Sequence, residues 1–307
     1  MLKLYLMNAV IKKFGEILFI FLASASLIFF LSRLAPSDPV EIMLGENSTM
    51  EDRIALKREL GIDKPILIQY KSFILSALQL DFGKSIVSRR LVSDEMKDAF
   101  PETLKIALIS ILISLFISVL IGIFSAYYEK RFFDKLFFIL TSIMIVSPSF
   151  LFGPILLLFL AVKFPIFPVS ESHFLAGFTL SIPFSAYSSR VLRSSLLEER
   201  RKGYFLHSIE KGNSKIKSFF VHLFPNSLPP FIQINGLQFG GLLTGAIIAE
   251  KIFRVQGIGS LLVKSVYTRD YPLLTGLVII FSVIYLLSNL LADIITKFID
   301  PRVKYEK

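Results

Sequence analysis

Long apolar runs separated by short charged segments dominate the hydrophobic pattern of this chain. Six runs contain no Asp, Glu, Lys or Arg: 17–32, 106–128, 136–162, 172–189, 223–249 and 271–292. A helix that crosses a bilayer needs roughly 20 mainly apolar residues. The pattern therefore predicts an all-α, polytopic membrane protein with six transmembrane helices. The fourth run is the weakest candidate because His173 and Pro183 interrupt it.

The first run has an alternative interpretation as a secretory signal peptide. Lys12 and Lys13 precede it, and the small-residue triplet "ASA" stands at 23–25. The apolar sequence "LIFFLS" continues beyond that triplet, however, which favours an uncleaved first helix.

The distribution of basic residues predicts the orientation of these spans. The segments 1–13, 129–135, 190–224 and 297–307 together hold 18 Lys and Arg residues, whereas 163–171 and 250–270 hold 5. Because Lys and Arg are enriched in cytoplasmic loops, both termini are expected in the cytoplasm. The long segment 33–100 has 10 basic and 11 acidic residues and is expected outside.

These boundaries divide the chain into four predicted parts. Residues 1–32 form the cytoplasmic N-terminus and first span, and residues 33–100 a small, mostly helical extracytoplasmic insertion. Residues 101–297 form the transmembrane core, which includes a cytoplasmic loop at 190–224, and residues 298–307 a cytoplasmic tail. Within the insertion, Ser48 is predicted to cap a helix that ends at Gly61.

Composition and charge exclude several other classes of protein. The chain is 53% hydrophobic and carries a formal net charge of +10, and its mean hydropathy is +0.65. A basic membrane protein of this kind indicates a positive cytoplasmic face rather than nucleic-acid binding. There is no cysteine and hence no thiolate metal site. "DFGKS" at 81–85 is not a nucleotide-binding P-loop, because Leu78 stands where that motif requires glycine.

The cytoplasmic loop is much longer than a connection between antiparallel helices requires. Five apolar residues at near-helical spacing flank a glycine, which predicts two short amphipathic helices around a turn at Gly212. They are Leu206, Ile209, Ile216, Phe219 and Phe220. Two functions fit this pattern: docking of a partner protein, or a helix pair lying on anionic lipid headgroups.

The same loop resembles the coupling loop of ATP-binding-cassette importer permeases, in the form found in dipeptide, oligopeptide and nickel permeases. Gly212 with Phe224 and Pro225 fits the spacing of that loop, and four further residues match the peptide-type variant: Tyr204, Lys211, His222 and Asn226. Leu206, His207 and Ser208 replace its Glu-Ala-Ala triplet, and Gly203 replaces an acidic residue.

The resemblance extends along nearly the whole chain. It includes "RLAPSDPVEIMLGENST" at 33–49, "LGIDKPILIQY" at 60–70, "GLQFGGLLTGAIIAEKIFRVQGIGSLL" at 236–262, "RDYPLLTG" at 269–276 and "DPR" at 300–302. Pro148 in "VSPSF" also matches a family position and is expected to kink the third span.

The resemblance implies a type I importer permease fold and a permease subunit of the prokaryotic inner membrane. It implies three kinds of partner: a second homologous permease, one or two ATPase subunits that use ATP and Mg, and an extracytoplasmic substrate-binding protein. The chain itself is expected to bind no cofactor or metal and to have no catalytic residue. Short peptides are the expected cargo, with nickel or another small solute as the alternative. The residues expected to couple to the ATPase are Tyr204, His207, Glu210, Lys211, Gly212 and His222.

The fifth span carries two further sets of candidates. Its small-residue pairs allow close helix packing, either within the chain or against the second permease: Gly236 with Gly240, and Gly241 with Gly245. Its polar residues are candidates for the translocation pathway, although helix–helix hydrogen bonds are an alternative explanation: Gln233, Asn235 and Gln238.

Three rival functions remain from the sequence. An intramembrane enzyme would need a catalytic constellation, yet the three histidines lie at span edges or in the loop: His173, His207 and His222. A secondary carrier would favour inverted repeats and ionisable residues at mid-bilayer, and neither is detected. A scaffold without transport activity would not bind an ATPase through residues 203–224.

Overall fold

Helices form most of the computed structural model, which describes residues 2–34, 40, 44, 48–59 and 61–299. In chain order the helices are α1 (Leu2–Leu34), α2 (Met50–Glu59), α3 (Ile66–Leu78), α4 (Val92–Tyr127), α5 (Phe132–Val146), α6 (Ser149–Leu157), α7 (His173–Arg201), α8 (Tyr204–Glu210), α9 (Lys215–Ser218), α10 (Phe224–Gly245), α11 (Ile247–Ile252), α12 (Ile258–Tyr267) and α13 (Tyr271–Ile299). Two π-helical segments, Leu158–Lys163 and Phe219–Leu223, continue α6 and α9. Most of "RLAPSDPVEIMLGENST", all of "DPR" and nearly all of the tail 298–307 lie outside the described residues.

Two helices of the described part are long and apolar enough to cross a membrane, Val92–Tyr127 and Tyr271–Thr296. A third span is obtained if Phe132–Val146 and Phe150–Lys163 are counted together; these two helices are bent by 101°. The predicted count of six spans is therefore matched only in part by length and composition. The break lies at Pro148, where a kink was expected, because proline cannot donate the backbone hydrogen bond that would continue α5.

The chain divides into two compact units. The first comprises residues 1–102 and 256–286. One of its cores is formed by Val92, Met96, Ala99, Ile258, Leu273 and Leu277, and another by Phe21, Ala25, Ala77 and Ile279. Buried Asp270 directly precedes α13 and accepts hydrogen bonds from Ser85 Oγ, from the Ile86 amide at 3.2 Å and from the Leu273 amide at 3.3 Å. Asp270 thus fastens the segment before α4 to the start of α13.

The helix predicted within the insertion is present, but its cap differs from the prediction. Thr49, not Ser48, caps α2, since Thr49 Oγ1 accepts the Asp52 amide hydrogen at 3.2 Å. The Ser48 hydroxyl instead accepts a hydrogen bond from Arg53 Nε at 2.8 Å. The predicted stop at Gly61 is confirmed by its φ of +65°.

The second unit comprises residues 103–255 and 287–307. Helix α7 begins at a cap in which Ser172 Oγ accepts the Leu175 amide hydrogen at 3.3 Å, and it continues without interruption to Arg201. The first third of the predicted cytoplasmic loop is therefore helical, an extension of the fourth apolar run. α7 packs against α5, α6 and α10, and its C-terminal part joins a core of Ala126, Leu192, Leu196, Leu197, Leu223 and Phe231.

Candidate coupling site

Residues 203–224, called the docking segment below, form two short helices that meet at Gly212. α8 ends at Glu210 and α9 begins at Lys215, so two short helices flank Gly212, as the sequence predicted. Gly212 has a φ of +91°, and its amide donates to Ile209 O at 2.9 Å. Only glycine enters this backbone region without a steric cost, so Gly212 sets the angle between the two helices.

Buried serines hold the two helices of the docking segment together. The hydroxyls of Ser208 and Ser218 lie 2.9 Å apart, and Asn213 Nδ2 donates to Ser208 Oγ at 3.3 Å. Ser214 caps α9 by accepting the Lys217 amide hydrogen at 3.3 Å. Phe205 and Phe219 anchor the segment on the core of the second unit. The docking segment is thus an ordered element with a defined shape.

A surface cavity of about 550 Å³ brings together four of the residues chosen from the sequence. Tyr204, His207, Lys211 and His222 line it, along with Gly203, Ser208 and Asn213. Glu210 lies beside it, and its carboxylate is 3.2 Å from His207 Nδ1 in an exposed pair. Four apolar side chains of the docking segment are also exposed: Leu206, Ile216, Phe220 and Val221. Exposed apolar side chains close in sequence to polar groups are often found at protein-interaction sites.

The glycines and polar residues of α10 have diverse surroundings. Gly236 lies directly against Ala292 of α13, so its small size serves packing within the chain. Gly240 is buried, whereas a Cβ at Gly241 would have no atom of the described residues within 4 Å. Gly245 is the last residue of α10, and its surroundings are not among those that the structure describes.

Two of the three pathway candidates make helix–helix hydrogen bonds. Ser188 Oγ of α7 donates to Asn235 Oδ1 at 3.1 Å and to Gln238 Oε1 at 2.9 Å, and both side chains are buried. Gln233 is exposed on the same helix. Their assignment to the pathway stays a prediction.

An ion-pair network between α5 and the C-terminal part of α7 was not predicted from the sequence. Arg193 of α7 donates from Nε and from its terminal nitrogen to the two carboxylate oxygens of Asp134, each at 2.7 Å. Ser125 Oγ and the Lys130 amide also donate to Asp134, at 2.6 and 2.8 Å. In the sequence, Arg190 and Arg193 contributed only to the count of basic residues expected in the cytoplasm. Their spacing of three residues was the available sign that they share a helix face.

Four hydrogen bonds converge on the buried carboxylate of Asp134, and the two from Arg193 join α5 to α7. Removing one partner of a buried ion pair leaves the other charge uncompensated and costs about 3 kcal/mol or more. We expect the Asp134→Asn variant to melt earlier than wild type at pH 7, because Arg193 then loses its carboxylate partner. Thermal unfolding of the detergent-solubilised chain checks this; an unchanged melting temperature would contradict it.

Comparison with known proteins identifies the family. The model for binding-protein-dependent transport system inner membrane components matches residues 118–305, and the model for the N-terminal part of such membrane components matches residues 6–107. The chain belongs to this family of importer permeases. It is therefore a membrane component of an ATP-binding-cassette importer and not an enzyme.

Individual relatives agree with this membership. The glutathione transport system permease protein GsiC of Salmonella typhimurium is 32% identical over 306 residues, covering 98% of this chain and 100% of the relative. GsiC of Escherichia coli K12 is 32% identical over 307 residues with the same coverage. A solved structure of the MetNI methionine ABC transporter, in inward-facing conformations, matches with a TM-score of 0.55 at 15% identity, covering 67% of this chain and 96% of the other. That likeness supports an importer permease fold for the chain.

Proposed function

We propose that this permease subunit imports short peptides or peptide-like solutes and that it is driven by an ATPase docked on residues 203–224. The observation that carries the docking proposal is the ordered turn at Gly212, with Tyr204, His207, Lys211 and His222 around one cavity. Because the docking segment is preorganised by its own buried hydrogen bonds, little ordering cost opposes binding. Lys211, Lys215 and Lys217 favour an acidic groove on the partner.

The rest of the predicted importer follows from the same assignment. The chain crosses the inner membrane six times with both termini in the cytoplasm, and a second homologous permease completes the translocation path. ATP and Mg are used by the ATPase subunits, and an extracytoplasmic binding protein delivers the solute. Gly241 is the best-placed contact for the second permease, since no atom of the described residues lies within 4 Å of the position that a Cβ would occupy there. Gln233 is the most accessible pathway candidate.

Peptide-like cargo is favoured over nickel because the similar full-length relatives are glutathione permeases. The cognate binding protein offers the direct test. We expect glutathione, a dipeptide or a tripeptide to raise its melting temperature, whereas NiCl₂ alone leaves it unchanged. Stabilisation by NiCl₂ and by none of the peptides would overturn the cargo proposal.

A separate measurement tests the docking proposal. The purified ATPase subunits should bind the detergent-solubilised wild-type chain and fail to bind a chain with Lys211, Lys215 and Lys217 all changed to Glu. A matched control changes Lys57, Lys64 and Lys71 of the insertion to Glu, which keeps the number of altered charges equal. Equal binding by both triple variants would contradict docking on residues 203–224.

A further inference from the structure

Three arginines on the inner end of α7 bind the neighbouring helices along more than two turns. Arg190 donates to Thr141 Oγ1 and to Phe138 O of α5, both at 3.0 Å, and also to Ser142 Oγ. Its guanidinium lies 4.6 Å from the centre of the Phe138 ring. Arg193 makes the two-pronged ion pair with Asp134, and Arg200 lies 3.3 Å from Glu129, just beyond α4. A planar guanidinium held at both ends of its fork fixes orientation as well as distance.

The ion pair between Arg193 and Asp134 is more buried than an ordinary surface ion pair. The Asp134 side chain is only 9% exposed, and that of Arg193 is 32% exposed. All of the donors around Asp134 are within ordinary hydrogen-bonding distance, so the buried charge is fully compensated. Removal of one partner therefore disrupts the contact between α5 and α7, unlike removal of an exposed pair.

The same end of α7 leads directly into the docking segment. Glu199 accepts hydrogen bonds from Tyr204 OH and from Lys202 Nζ, each at 2.7 Å. Only residues 202 and 203 separate the end of α7 from the start of α8. A displacement of the docking segment is thus passed to α7 through a short, bonded turn.

A proline bounds the arginine-bound part of α5 and of α7, at the end that lies away from the docking segment. α5 ends at Val146, two residues before Pro148, and the chain bends by 101° there. α7 contains Pro183. Pro183 supplies no amide hydrogen to the helix, so α7 has a weak point there. Both arginine-bound regions lie on the docking side of these prolines.

We propose that residues 184–201 and α5 form one rigid strut, joined by Arg190 and Arg193 and braced by Arg200 against Glu129 just before α5, which carries movement of the docking segment to the break at Pro148. These arginines are positioning residues: they touch neither solute nor nucleotide. The inference rests on the proposed docking function, because it assumes that the ATPase moves the docking segment. The break at Pro148 is the element that changes, while the distance between α5 and α7 stays constant.

Spin-label distances test the strut in the assembled importer, reconstituted with its second permease and ATPase subunits. The chain has no cysteine, so pairs of cysteines can be introduced, labelled on the purified chain before assembly, and measured without background from this subunit. One pair, Ile139→Cys with Glu198→Cys, spans the strut; a second, Ile139→Cys with Ile155→Cys, spans the break. All three positions are exposed. We expect the strut distance to change by less than about 2 Å between the nucleotide-free and ATP-bound states, and the distance across the break to change by more than about 5 Å.

Substitution then shows whether the arginines hold the strut together. In Arg193→Gln the strut distance should become broad and dependent on nucleotide. Asp98→Asn is the matched control, because it breaks the exposed Arg90–Asp98 pair, which has the same 2.7 Å separation. If Arg193→Gln does not fold, Arg190→Lys provides the second variant, since it loses the fork geometry but retains the charge. A strut distance that changes with nucleotide in the wild type, or stays fixed in the folded variants, overturns the proposal.

A third label separates failure of the strut from failure of the docking assignment. A nitroxide at Ile216→Cys in the docking segment should lose mobility when the ATPase subunits bind. No change at this position contradicts docking itself, whatever the strut shows. A mobility loss at 216 with an unchanged distance across the break retains the docking assignment and overturns transmission to Pro148.

Discussion

Replacing Gly212 with aspartate is expected to abolish solute uptake while leaving the chain inserted in the membrane. Gly212 has a φ of +91°, and no atom of the described residues lies within 4 Å of the position that a Cβ would occupy. The positive φ strains the backbone for aspartate and asparagine alike, so the effect that is specific to aspartate comes from its charge in the docked state. Aspartate adds a negative charge beside Lys211 and Lys215 and projects into the space where the ATPase is proposed to bind.

Uptake into proteoliposomes, together with the amount of protein in the membrane fraction, measures this effect. Loss of uptake of about 100-fold is expected, since one buried, unpaired charge at an interface costs about 3 kcal/mol. Gly212→Asn is the matched control: asparagine has nearly the same size, tolerates positive φ and carries no charge. It should retain much of the uptake. Wild-type uptake by Gly212→Asp would refute docking at this turn.

The turn at Gly212 was predictable because the signal is local. A glycine between two apolar repeats at helical spacing has few structural alternatives, and both the turn and its flanking helices are present. Gly61 is a second example, since it ends α2 with a φ of +65° as predicted. The cap of the same helix shows the limit of such signals. Ser48 and Thr49 are adjacent and chemically equivalent as caps, and only the start of the helix at Met50 selects Thr49.

Contacts between distant parts of the chain were not predictable in the same way. Hydropathy placed a boundary at Arg190 because charge begins there, yet α7 continues to Arg201. In this charged part of α7, Arg190 and Arg193 bind partners on α5 that are 49 and 59 residues away in the sequence. A single sequence does not reveal such a pairing. Likewise, the amides of Asn235 and Gln238 suggested a pathway or a packing role equally, and the position of Ser188 on α7 became known only from the fold.

Valine at Gly236 is expected to prevent stable folding of the chain. A Cβ at this position would overlap the Cβ of Ala292, and the backbone of α13 lies immediately behind it. Neither atom can move aside as a flexible side chain could, so α10 and α13 would have to separate. Overpacking of a tight contact typically costs about 1–3 kcal/mol, and a clash with backbone lies at the upper end. The expected result is a clearly lowered melting temperature of the detergent-solubilised chain and little protein in the membrane.

Gly241 offers a matched substitution on the same helix, five residues further on. A Cβ there would have no atom of the described residues within 4 Å, so Gly241→Val should leave the melting temperature of the isolated chain nearly unchanged. If the second permease packs on this face, the same variant should lose co-purification with that subunit, because small residues are what allow helices to approach closely. Gly236 would then serve the fold and Gly241 the assembly. Normal assembly by Gly241→Val would remove this face of α10 from the subunit interface, and normal stability of Gly236→Val would contradict the contact between α10 and α13.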